Sequence, residues 1–352
     1  MKRWLSKILG TCGILTALSG TGYAGTGDST NILFIGNSYT HMNNMPKIFE
    51  KICIAKGKKV HVEMNTRSGA SFNVHTTRAD MYEAIKSRKW DYVVIQGYSR
   101  EFTFEPSYLD TATIPYMVQI MDTIKHYSPC ANIHLYLTWG YKDGFEERPE
   151  TDSYDKMTDR IEFGYKYVSE IFSLPIDPVG LVWREFRRKH PGINLYDADN
   201  AHPNKNGSYL SACTHFTAIF RESPEGAFTN TIGTKEAKEI QKHAADVVLK
   251  RMNEFKLDVN YHTVTPLTGK DQHQMISCKS YFVNAKSISW DFGDGSTSKE
   301  KNVTYLYKKP GTYKVKLTVD DECGIRTYTT KITIAQPQKP KAKKKPKSTK
   351  KN

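Results

Sequence analysis

Between Asn31 and about Lys256 the sequence alternates between two textures, and that alternation constrains the fold more than any other feature. "NILFIG", "KVHVEMN", "DYVVIQ", "NIHLYLTW" and "GINLYD" are short apolar runs rich in β-branched residues, the signature of strands buried on both faces. Longer amphipathic stretches separate them: "MPKIFEKICIAKGK", "RADMYEAIKSRK", "TIPYMVQIMDTIKHY", "SYDKMTDRIEFGYKYVSEIF" and "TKEAKEIQKHAADVVLKRMNEF". Strand and helix in turn predict an α/β domain over 28–256, a parallel sheet with helices on both faces. Ligands of such sheets bind outside the carboxyl ends of the strands, and Ser38, Gln96 and Trp139 fall at or just past such ends.

After Lys256 the period changes. "ISWDFGDGSTS", "VTYLYKKPGTYKVKLTVDD" and "RTYTTKITI" are short strands with turn signals, and Tyr313, Val315, Leu317 and Val319 share one face. They predict a small all-β sandwich over 257–335. The stretch 336–352 is rich in Lys and Pro and cannot bury a core, so a disordered tail is expected there. At the other end, "MKRWLSK", an apolar run and "GYA" read as a signal peptide over 1–24. Its apolar run is too short to span a bilayer, and no later segment is long and apolar enough to do so. The chain is expected to be exported to the periplasm, cell surface or medium. Net charge is +14, but eight of the lysines lie in the tail. The folded part is only mildly basic, which argues against a nucleic-acid partner. Salt-sensitive attraction of the tail to an anionic surface polymer is a second expectation. No Cys or His cluster has zinc spacing, so neither metal nor cofactor is expected.

Chemistry is concentrated in two blocks. "ILFIGNSYT" puts Ser38 just after a strand, where it is either a turn residue or a nucleophile. A serine nucleophile needs a histidine to take its proton and a carboxylate to orient that histidine. "DADNAHPNKNGSYL" supplies Asp199 and His202, three apart, so both side chains can face the same way on one turn; alone, the pair could equally be a capping turn before a helix. Together the blocks resemble the SGNH (GDSL-like) hydrolases, in which Gly-Asp/Asn-Ser follows strand one and Asp-x-x-His-Pro closes the domain. The pattern is not the G-x-S-x-G elbow, because Thr40 stands where its second glycine belongs.

The resemblance implies a flavodoxin-like three-layer αβα fold and a carboxylic ester hydrolase with Ser38 as nucleophile, His202 as base and then acid, and Asp199 as orienting carboxylate. It also implies an oxyanion hole built from the Ser38 amide, a glycine amide after strand two, here Gly69, and a third donor. The family's Gly-x-Asn-Asp block is absent. "VVIQGYSRE" instead is similar to the Gln-Gly-Glu-Ser of sialate O-acetylesterases, which makes Gln96 the expected third donor, with Arg100 a rival. Asn37, Trp139 and Arg100 are further candidates to touch substrate, with a tether of the nucleophile loop the alternative for Asn37 and core packing the alternative for Trp139. His41, His75, His126 and His134 have no carboxylate at fixed spacing and read as surface or core histidines.

"WDFGDGSTS", "YLYKKPGTYKVKLTV" and "CG" are similar to the PKD module, an immunoglobulin-like sandwich that serves as a spacer or a glycan contact. Cys278 and Cys323 sit near its opposite ends and are expected to form a disulfide. The expected function is an exported serine esterase removing O-acetyl groups from an acylated carbohydrate. The competing expectation is a non-catalytic carbohydrate-binding or adhesion protein that keeps the hydrolase fold.

Overall fold

A computed structural model describes residues 29–227, 231–259, 262–267, 274–282 and 284–334. The expected signal peptide and lysine tail lie outside the described residues. Five parallel strands form the central sheet: β1 (Thr30–Gly36), β2 (Val60–Thr66), β3 (Tyr92–Ile95), β4 (Asn132–Tyr136) and β5 (Ile176–Asp177). Their order is β2-β1-β3-β4-β5, the flavodoxin-like order, whose switch point lies between β1 and β3. Four successive side chains of β1, Ile32 to Ile35, are fully buried, so both sheet faces are covered. Helices α1 (Ser38–His41), α2 (Met45–Ala55), α3 (Phe72–Thr76), α4 (Ala79–Lys86), α5 (Ile114–Tyr127), α6 (Tyr154–Phe172), α7 (Val179–Lys189), α8 (Lys205–Phe220) and α9 (Thr234–Lys250) supply the cover. Helix α8 packs on α2 and α9, and α5 packs on α3 and α4.

The fifth strand is not where the apolar pattern places it. "GINLYD" is a loop whose Tyr196 makes a single antiparallel bridge to Pro203. The strand that extends the sheet is the dipeptide Ile176–Asp177, paired with Leu135 and Tyr136. Two residues between prolines carry no periodicity, so the pattern could not reveal them. Asp177 repays attention. Its two carboxylate oxygens take His134 Nδ1 at 2.6 Å and His215 Nδ1 at 2.7 Å, all three side chains being fully buried. Burial would raise the Asp177 pKa, but the two imidazoles outweigh it and hold the carboxyl at about 2. The triad ties α8 to the sheet edge. It also supplies His134 with the carboxylate that no fixed spacing in the sequence disclosed.

The C-terminal strands are β6 (His262–Pro266), β7 (Met275–Ser280), β8 (Ser287–Asp291), β9 (Thr297–Ser298), β10 (Asn302–Leu306), β11 (Gly311–Asp321) and β12 (Gly324–Ile334). They form one sheet ordered β10-β7-β6 and another ordered β12-β11-β8-β9. Val315, Leu317 and Val319 point into a core with Trp290, Ile276 and Cys278, as the period of two predicts.

The disulfide is a correction. Cys323, in the turn joining β11 and β12, bonds to Cys130 across a Cα–Cα distance of 5.6 Å, and Cys278 is free and buried. On β7 the buried positions are Ile276, Cys278 and Ser280, so the alternation of the strand turns the Cys278 thiol into the sandwich core. Burial pushes that thiol up to about 12. Cys130 lies two residues before β4, at the amino-terminal edge of the sheet. The bridge therefore fastens the β module to the end of the α/β domain opposite Ser38.

Candidate active site

Strand β1 ends on Gly36, where a Cβ would collide with the side chains of Thr40 and Gln96. Only glycine lets the chain turn so tightly under the next residues. Asn37 then caps α1, its Oδ1 accepting the Tyr39 amide at 3.1 Å. Its Nδ2 donates to the carbonyls of Ala70 at 3.2 Å and Gly97 at 3.1 Å. Asn37 is therefore a buried tether whose Nδ2 holds the loops after β2 and β3, and it also borders the cavity over Ser38. The turn holds Ser38 at the first position of α1, where a backbone amide has no intrahelical partner.

Gln96 is also placed otherwise than the resemblance implies. It is fully buried, with Oε1 accepting Asn37 N–H at 3.0 Å and Thr40 Oγ1 at 2.9 Å and Nε2 donating to Gly97 O at 2.5 Å. Both ends of the amide are spent beneath the nucleophile turn, so it is a strut for that turn and not a donor in the cavity. The reason is its position one residue past β3, where its backbone amide still donates to Ile35 O and its side chain reaches the end of the neighbouring strand β1.

The acid–base partners come from the loop before α8. His202 Nδ1 donates to Asp199 Oδ2 at 2.5 Å, and Asp199 Oδ1 accepts the amides of His202 at 2.9 Å and Ala201 at 3.0 Å. Partial burial raises the Asp199 pKa, but these hydrogen bonds outweigh it and hold the carboxyl below its ordinary value. With Nδ1–H committed to the carboxylate, Nε2 is left as an acceptor, and Ser38 Oγ lies 2.8 Å from it. Residues separated by 164 positions thus form one hydrogen-bonded row.

Two further ties set this meeting. The loop is pinned by Asn43 Nδ2, which donates to Pro203 O and Ser208 Oγ, both at 2.9 Å. Beneath it Tyr39 stacks on Trp139 at 4.4 Å and Trp139 on Trp183 at 4.0 Å, with nearly parallel rings. Trp139 Nε1 donates to Ala201 O at 3.1 Å. Trp139 is fully buried and supports both halves of the site from below, so it does not wall the cavity. Each such aromatic pair is worth about 0.5–1.5 kcal/mol beyond its buried area.

Above the row opens a cavity of about 500 Å³. Ser38, His202, Gly69, Tyr98, Ser99 and Tyr141 face it, with Ser68, Met42 and His41. Gly69 has a φ of +69° and open space where a Cβ would stand, so a substrate can approach its backbone. Arg100 stays at the margin. It donates to Tyr98 OH at 2.9 Å and lies 4.1 Å over the Phe145 ring, bracing Tyr98. His41 is a part-exposed histidine with no carboxylate partner among the described residues. It reaches the cavity, with Nδ1 3.2 Å from Thr66 Oγ1, and burial together with the nearby His202 lowers its pKa. Sequence reasoning also passed over Tyr98, Ser99 and Tyr141. Tyr98 and Ser99 belong to the "QGYS" block, and all three follow the carboxyl ends of β3 and β4.

Comparison with known proteins agrees with this architecture. Residues 273–335 match the PKD domain family. The collagenase ColA of Bacillus cereus is 36% identical over 104 residues, 24% of this chain and 11% of that protein; the chain spans about a tenth of the length of the curated relatives it matches. A DUF4886 family protein from Bacteroides uniformis superposes with a TM-score of 0.54 at 20% identity, covering 63% of this chain and 95% of that one. A candidate SGNH hydrolase from Slackia heliotrinireducens gives a TM-score of 0.43 at 25% identity, covering 54% of this chain and 99% of that one. The chain thus joins a domain that shares the fold of a DUF4886 family protein to a stretch that matches the PKD domain family.

Proposed function

We propose that this chain is an exported serine esterase that removes short acyl groups, acetate foremost, from an O-acylated carbohydrate. The observation that carries the reading is the row Ser38–His202–Asp199, with its open end in the cavity. His202 Nε2 takes the Ser38 proton as Oγ attacks the ester carbonyl carbon. The oxygen that gains charge is met by the amides of Ser38 and Gly69, each such donor being worth roughly 3–4 kcal/mol of barrier. As the C–O bond breaks, His202 passes the proton to the leaving alcohol. Water, deprotonated by His202, then clears the acyl group from Ser38. Asp199 remains ionised throughout and steadies the imidazolium.

Tyr98 and Tyr141 line the cavity with Ser68 and Ser99, aromatic and hydroxyl groups of the kind that suit a sugar ring. Export is supported by the basic and apolar start of the sequence and by the Cys130–Cys323 bridge, since disulfides persist in oxidising compartments. Among the described residues no helix is long and apolar enough to cross a membrane. The test is hydrolysis of nitrophenyl acetate and nitrophenyl octanoate, with a fluorophosphonate probe reporting on the serine. Acetate should be preferred, and Ser38→Ala and His202→Ala should each lower kcat by at least about a hundredfold and abolish labelling. Undiminished turnover in Ser38→Ala would refute the assignment.

A further inference from the structure

A second cavity, of about 340 Å³, lies beside the first, and Tyr98 lines both. It opens on the same edge of the sheet, between the loop after β2 and the long connection from β3 to α5. Its size falls within the roughly 300–1,000 Å³ of small-molecule sites. Three observations say what would fill it. The first is its aromatic side. Phe104 and Tyr108 stack at 4.2 Å, Tyr116 adds a third ring, and Tyr108 is 45% exposed although large and apolar. The second is its polar side. Glu101 is 6% exposed, its carboxyl anchored by the Tyr98 amide at 2.8 Å, and the buried Thr113 shares the lining. Rings on one side and a fixed acceptor on the other match a pyranose, which has apolar C–H faces and equatorial hydroxyl donors. The third is the wall between them, where Thr111, Ala112 and Thr113 belong to a π-helical turn, Leu109–Thr113. Such turns are rare and recur at functional sites.

We propose that this cavity is a glycan subsite that holds a neutral sugar ring next to the ring whose ester reaches Ser38. The inference rests on the reading of the chain as a carbohydrate esterase and narrows its substrate to an oligosaccharide. No Lys, Arg or His lines the cavity among the described residues, and Glu101 sits at its polar side. A carboxylated sugar such as sialic acid would find no cation in this lining to pair with its charge.

The test uses the full chain, Tyr108→Ala, which removes the exposed ring, and Ala112→Phe, which fills the space. Neither residue belongs to the catalytic row, so nitrophenyl acetate should be turned over at the wild-type kcat/KM by both, which also reports that they fold. Against acetylated xylotetraose and acetylated cellotetraose, KM should rise about tenfold in Tyr108→Ala with kcat little changed. Ala112→Phe should erase any preference for the tetrasaccharides over an acetylated monosaccharide. Wild-type KM for tetrasaccharides in both variants, or tighter use of an acetylated sialoside, would overturn the subsite. A chain that hydrolyses no ester would sink the esterase reading alone. Calorimetric titration with the unacetylated tetrasaccharides then decides the subsite, because binding lost in Ala112→Phe supports it and no binding to the wild type ends it.

Discussion

Replacing Gln96 by Met separates a strut from an oxyanion donor. Methionine keeps the length and volume of the side chain and removes its amide. In the native protein Gln96 Oε1 accepts two buried donors, Asn37 N–H and Thr40 Oγ1–H. Substitution strands the amide of the residue that caps α1, and leaving a buried donor unsatisfied costs about 1–3 kcal/mol. The Thr40 hydroxyl can rotate, so it adds a smaller share. Together they amount to a loss of about 2–4 kcal/mol, on the order of 30- to 1,000-fold in the folding equilibrium. Denaturant titration reads this as a lower midpoint at unchanged slope, while turnover of nitrophenyl acetate falls because the Ser38 turn loosens. A true oxyanion donor behaves otherwise, its removal reducing kcat by about 10²–10³ without touching stability. A hundredfold loss of kcat with an unmoved midpoint would therefore refute the strut and restore Gln96 to the cavity.

Two other outcomes follow, one from the disulfide and one from a buried carboxyl. Peptide mapping under non-reducing conditions should find Cys130 joined to Cys323, and a Cys278–Cys323 peptide would contradict the assignment; the bridge closes 193 residues of chain, for which the loop-entropy relation sets a ceiling of about 5 kcal/mol on what Cys130→Ser removes. Burial, against the pull of the Tyr98 and Phe72 amides, raises the Glu101 carboxyl to about 7. A raised acid keeps its proton in the folded state alone, so stability should fall as pH climbs from about 4.5 to about 7, by up to about 3 kcal/mol. Glu101→Gln should flatten that window in pH-dependent denaturation, and an unaltered slope would show that the decline arises elsewhere.

Much of this protein was legible because it is written locally. Apolar runs of strand length between amphipathic stretches specify a parallel sheet, since both of its faces must be buried. The period of two in Tyr313 to Val319 specifies the second domain's sheets. Gly36, Asn37 and Ser38 occupy three consecutive positions, and Asp199 and His202 one turn of chain, so their local relations needed no fold.

What tertiary structure decided was every direction of a side chain and every partner far along the chain. Gln96 and Trp139 sit at strand ends, as their positions indicated, yet their side chains run inward to Asn37 and to Ala201. The residue type does not say whether an amide or an indole at such an end faces solvent or its neighbour strand. The Ile176–Asp177 strand exists because β4 and a buried histidine pair receive it, and no pattern of two residues can announce that. Cys323 met Cys130 and not Cys278, since alternation along β7 turned one thiol into the core while docking of the module brought the other within bonding distance. The contact between Ser38 and His202 belongs to the same class. It forms because the sheet order places the loop before α8 over the end of β1, a fact of packing that the two sequence blocks require but do not contain.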